Sequence, residues 1–166
     1  MNKHELLLAA KKYNTLGYEI NFTKGKAIIG YYDGFPPEEK DYNGISILLG
    51  ELVCVDFDSR VSMDCGYGND LPPTLKEKSP RGMHLIYRLP VDTTSKYESK
   101  IKWKKDIDLL VKGARKKVYS NKTVELFSDH VLCSPTDGYE RVYPDDTPHI
   151  SKLTIAPAWL LNEVRV

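Results

Sequence analysis

The chain has 166 residues, of which 41% are hydrophobic and 28% charged, and its net charge is +1. That length suits one globular domain, residues 1–166, and the near-neutral balance argues against coating nucleic acid by bulk charge alone. No run approaches the roughly 18 consecutive apolar residues that span a bilayer, and the start lacks a basic-then-apolar leader, so no membrane partner and a cytoplasmic location are expected.

In chain order, Asn2 with Glu5 three residues on is a helix N-cap pair, and Leu6, Leu7, Ala10 and Tyr13 continue at helical spacing. Gly17 supplies the stop, so the spacing predicts a helix over 3–16. Residues 18–22 alternate as a strand, and residues 30–43, rich in Gly, Pro, Asp and Tyr, read as a loop. The stretch from Ile45 to Asp58 holds two apolar runs broken at Gly50-Glu51, the pattern of a tight hairpin. Residues 62–78 read as a second loop. Strands are predicted at His84–Arg88, Ile107–Val111 and Val131–Cys133, with Tyr139–Tyr143 pairing to the last of these across Asp137-Gly138. Residues 157–164 form a terminal helix with Pro157 in its first turn. The whole is α+β, a mainly antiparallel sheet with flanking helices. Cys54, Cys65 and Cys133 form no Cys-x-x-Cys pair, so neither a zinc ribbon nor a disulfide framework is indicated, and Cys54 and Cys133 read as small core residues.

The sharpest chemical feature is Asp56-Phe57-Asp58 at the end of a very apolar strand. Residues two apart on a strand share a face, so the two carboxylates repel unless a cation neutralises them. Hard oxygen ligands of this kind suit Mg2+ or Mn2+ held jointly with phosphates. A strand running out into a polar turn is the structural alternative. Next comes Ser79-Pro80-Arg81-Gly82-Met83-His84, where a small residue before a strand admits a phosphate, Arg81 adds a cationic fork and His84 a ring donor. A hydrogen-bonding histidine at a strand start is the plainer account. Asp106 and Asp108 again share a strand face, and either completes a metal site or forms a solvated acidic edge. Ser134-Pro135-Thr136 ends another apolar strand, with hydroxyls that line a pocket or cap the turn.

Charge is unevenly spread. Between Lys96 and Lys122 ten Lys and Arg face three Asp and Glu, about +7, leaving about −6 elsewhere. A basic stretch in a neutral chain suits a phosphate-tracking surface beside an acidic pocket, or a solvated loop.

Taken in order, these pieces resemble the archaeo-eukaryotic primase superfamily, and within it the primase-polymerase domain of plasmid and phage replication proteins. The matching elements are the apolar strand ending in Asp56-x-Asp58, the turn from Ser79 into His84, Ile107-Asp108, and Ser134-Pro135-Thr136. Asn21–Lys26 resembles the segment before the first metal strand, and Ile155–Leu161 the closing helix, so nearly the whole chain is covered. The resemblance implies an RRM-like catalytic core. It implies metal at Asp56, Asp58 and Asp108, and nucleotide at Ser79, Arg81, Gly82 and His84. It further implies nucleoside triphosphates and a single-stranded DNA template as ligands, and a replicative helicase as partner. The turn holds Gly82-Met83 where many relatives have paired glycines. The span from Asp108 to Cys133 is longer than the usual hairpin, which makes Glu125 a rival third carboxylate. It also places Lys112, Arg115, Lys116 and Lys117 in a template-contacting insertion. The competing expectations are a domain of this fold that binds nucleic acid or a replication partner without catalysis, and a metal-dependent nuclease, which leaves the Ser79–His84 turn unexplained.

Overall fold

A computed structural model describes residues 3–35, 41–57, 71–90, 100–104, 107–111, 116–119, 122–125 and 130–164. Between residues 100 and 125 it describes strand positions alone. The first helix, α1 (Lys3–Thr15), buries Leu6, Ala10 and Tyr13, one side chain per turn. It stops at Gly17, whose φ of +93° disfavours any other residue. A Cβ there would also meet Ile150 Cγ2 at 2.5 Å, so the helix end and the 150–152 turn pack without a side chain between them.

Next, β1 (Ile20–Lys24) and β2 (Ala27–Tyr31) form a hairpin, and β3 (Gly44–Leu48) pairs with the other edge of β1. Then follow β4 (Leu52–Phe57), β5 (Leu75–Lys78), β6 (Met83–Arg88), β7 (Lys100–Lys104) and β8 (Ile107–Val111). The later strands are β9 (Lys116–Tyr119), β10 (Lys122–Glu125), β11 (His130–Leu132) and β12 (Glu140–Tyr143), before a closing helix α2 (Ala158–Val164). They assemble into two larger sheets, ordered β11-β3-β1-β2 and β12-β5-β6-β4-β8-β7, with β9 and β10 as a separate pair. Every ladder between these strands is antiparallel. The fold is therefore α+β with few helices.

Two apolar clusters explain why β4 reads as a continuous hydrophobic run. Leu52 and Cys54 join Leu6, Ala10, Tyr13, Phe22, Ile45, Ile47, Leu75 and Ile86. Val53, Val55 and Phe57 join Met83, Leu85 and Tyr87 of β6 and Leu160 and Leu161 of α2. A strand covered on both faces has no polar side to alternate with. Cys54 and Cys133 are buried free thiols, as expected of small core residues, while Cys65 lies outside the described residues.

Four expectations are corrected. Gly50-Glu51 does make a tight turn, closed by Leu52 N–H donating to Leu49 O, but β3 and β4 do not pair. The turn instead passes the chain from one sheet to the other, because β4 needs cover on both faces and takes the centre of the larger sheet. Residues 75–78, read as loop, are strand β5. Residues 27–31, partly read as loop, are strand β2. Finally, 140–143 pairs with β5, while β11 pairs with β3. The closing helix stands as expected, with Leu160 and Leu161 N–H both donating to Pro157 O.

A buried polar network ties these parts together. Glu77, 0% exposed, accepts from Arg141 Nε at 2.9 Å and from Ser134 N–H at 3.0 Å. Arg141 also donates to Thr147 Oγ1 at 2.8 Å and to the Tyr13 hydroxyl at 2.9 Å, and that hydroxyl donates to Ser134 O at 2.9 Å. The helix, β5, β12 and the turn after β11 thus meet at one ion pair. Among the described residues no helix is long and apolar enough to cross a membrane.

Arg141→Met leaves a buried carboxylate unpaired and should lower unfolding free energy by about 3–5 kcal/mol in urea denaturation. Adding Glu77→Gln should recover a large part of that loss. A loss below about 1 kcal/mol in the single variant would show that the pair does not hold the parts together. Alkaline stability offers a second check. Burial pushes the phenols of Tyr13, Tyr18 and Tyr87 up, Tyr18 from 10.0 to about 12. The unfolded chain releases these protons first, so stability is full below pH 10 and declines as pH rises through about 12. Tyr18→Phe should make that decline shallower in melts taken across the range. Stability that stays flat up to about pH 12 would contradict the burial argument.

Candidate functional site

The ladders of the larger sheet share one rung. Arg141 pairs with Glu77, Glu77 with His84, His84 with Asp56, Asp56 with Asp108, and Asp108 with Lys102. One residue from each of the six strands is ionisable, in the order Arg, Glu, His, Asp, Asp, Lys. Directly opposed residues on antiparallel strands have Cβ atoms roughly 4.5–5.5 Å apart. Asp56 and Asp108, 52 positions apart in the sequence, are such a pair.

His84 sits on the other side of Asp56. Its Nε2 lies 3.2 Å from Asp56 Oδ1, and with a carboxylate as partner this nitrogen carries a proton and donates. The residue is 7% exposed, and its Nδ1 is buried with no hydrogen-bond partner among the described residues. A buried polar atom without a partner is uncommon and calls for an explanation. Asp56 is half-buried at the end of the row Leu52, Cys54, Asp56, so it marks where the first apolar cluster gives way to solvent.

The Ser79–Gly82 segment is the turn of the β5–β6 hairpin, one residue pair beyond this rung. Ser79 N–H donates to Gly82 O at 3.1 Å, and Gly82 N–H donates to Ser79 Oγ at 3.2 Å. Those two amides and the Ser79 hydroxyl therefore close the turn, while Arg81 is exposed at its tip. The turn after β11 is structural in part. Thr136 Oγ1 accepts from Ile45 N–H at 2.9 Å and donates to Ile45 O at 3.1 Å, which fastens that turn to β3.

Asp58, Asp106, Lys112 and Arg115 lie outside the described residues. Glu125 pairs in register with Lys116, and Lys117 with Val124, in the separate β9–β10 pair. Among the described residues no three His, Cys, Asp or Glu side chains are arranged to hold a metal ion. Asp56 contributes a hard oxygen donor of the kind Mg2+ and Mn2+ take, and the rung sets a second carboxylate residue opposite it.

Two neighbours were not legible as site residues. Glu77 could have been found from Leu75-x-Glu77, an alternation that puts the acid on the face of a buried leucine. Tyr139 carries no such signal. It follows the Asp137-Gly138 turn, and its ring centroid lies 5.8 Å from that of His84, the planes inclined at 40°. Its phenol is held above the ordinary tyrosine value, first by burial and then by the charge of Asp56.

A scan against protein-family models finds no match, and a search of the curated proteins finds none either.

Gly138 has φ +88°, and a Cβ on it would lie 3.0 Å from Pro80 Cγ in the neighbouring turn. Gly138→Ala should therefore destabilise the chain by about 1–2 kcal/mol from backbone strain, plus the cost of displacing Pro80. Gly25→Ala, at φ +58° with nothing within 4 Å, should show the backbone part alone. Equal melting-temperature losses in the two variants would mean that the packing of the two turns adds nothing.

Proposed function

We propose that the chain is the catalytic core of a DNA primase-polymerase, joining nucleoside triphosphates on a single-stranded DNA template. The observation that supports this best is the rung that sets Asp108 opposite Asp56 with His84 on Asp56's other flank. Like charges opposed on adjacent strands destabilise a sheet, so such a pair at the edge of an apolar core suits a role that needs both. Asp56, Asp58 and Asp108 are the residues that would hold Mg2+ or Mn2+. Asp108 fits better than Glu125, whose strand belongs to a different sheet. A divalent cation bound there supplies polarisation of the attacking oxygen and neutralisation of developing phosphate charge.

The protein's own groups divide the remaining work. Asp56 accepts from His84 Nε2 and so anchors one end of the imidazole. His84, at the start of the strand that the Ser79–Gly82 turn leads into, would stand beside the triphosphate. Arg81, exposed at the hairpin tip, offers a bidentate fork to the same anion. Gly82 and Ser79 shape the turn that carries it. Lys112, Arg115, Lys116 and Lys117 would meet template phosphates, and lie within a stretch of about +7 net charge. The same reading carries a replicative helicase as partner and a cytoplasmic location.

Extension of a primed single-stranded template with labelled nucleotides in Mg2+ or Mn2+ tests this. Asp56→Asn and Asp108→Asn should each reduce synthesis by at least about 100-fold while leaving the chain folded. Full synthesis in both variants would remove the site assignment. Template binding without synthesis by the unaltered chain would favour a non-catalytic binding module of the same fold.

A further inference from the structure

Two turns from distant parts of the chain close over His84. The Ser79–Gly82 turn leads directly into its strand, and the Asp137-Gly138 turn lies against Pro80 so closely that a Cβ on Gly138 would come within 3.0 Å of Pro80 Cγ. The second turn delivers Tyr139, half-buried, with its ring beside the imidazole. The imidazole, only 7% exposed, thus has Asp56 on Nε2 and the Tyr139 ring on its flank. A single hydrogen bond leaves a ring free to pivot about it, whereas an aromatic neighbour removes that freedom. The Tyr139 hydroxyl is not needed for this, because the contact is between rings.

We propose that Tyr139 is a positioning residue: its ring fixes the His84 imidazole against Asp56, and so sets the edge that the hairpin turn presents to a nucleotide. The nucleotide part rests on the nucleotidyl-transfer reading above, whereas the positioning part does not. The two are separated by recording the His84 imidazole carbon–proton signals of the free chain beside calorimetric binding of dATP with Mn2+, and of Mn2+ alone. Tyr139→Leu should broaden the His84 signals, beyond the shift that loss of the ring current alone produces, and weaken dATP binding about tenfold, with Mn2+ affinity within about twofold of the unaltered chain. Tyr139→Phe, which keeps the ring, should restore both the signals and the dATP affinity. His84 signals that keep their width in Tyr139→Leu would overturn the positioning role, as would a Tyr139→Phe variant as impaired as Tyr139→Leu. Broadened signals in a chain that binds no dATP would uphold the positioning of His84 and overturn the nucleotidyl-transfer reading instead.

Discussion

The structure depends on one buried ion pair. Glu77 and Arg141 lie on adjacent strands, yet their bonds reach well beyond those strands. Through Tyr13 the pair holds the first helix, and through Ser134 N–H it holds the turn that leaves β11. A carboxylate with no exposure survives only when its acceptor sites are filled, and here a backbone amide and a guanidinium fill them. Such a network is a poor source of net stability compared with apolar packing of equal volume. Its contribution is to specify arrangement: the smaller sheet, the helix and the larger sheet can satisfy this acid together in few other ways.

The candidate site inherits its geometry from that arrangement. Glu77 occupies the same rung as His84 and Asp56, so the pair that anchors β12 to β5 also sets the register against which β6 and β4 align. The apolar cluster behind Asp56 does the rest. Leu52 and Cys54 are buried on the same face as Asp56, so the carboxylate emerges at the rim of a packed interior rather than in open solvent. A partly desolvated acid interacts more strongly with a neighbouring charge than one on an exposed loop.

Much of this was legible in local pattern. The helix from Lys3 announces itself through a cap, a 3–4 spacing and a glycine stop, all of which are short-range signals. The apolar strand ending at Asp56 and the turn ahead of His84 were legible for the same reason. What the sequence could not reveal was which strands pair. Gly50-Glu51 has the chemistry of a hairpin turn, but pairing is decided by burial on both faces of β4, a property of the assembled sheets. Tyr139 was missed on similar grounds, since its nearness to His84 arises from two turns packing together across 55 residues of chain. Glu77 lay in a segment whose prolines and glycines outweighed a four-residue alternation.

The shared rung also limits how such a chain can change. Strand side chains alternate with a period of two, so gaining or losing one residue within β4, β6 or β8 would carry that strand's member of the row to the opposite face. The site is thus addressed by count as much as by chemistry. Substitution can retune its charges one at a time, whereas length variation is confined to the connections between strands, where an added residue leaves every position in the row where it was.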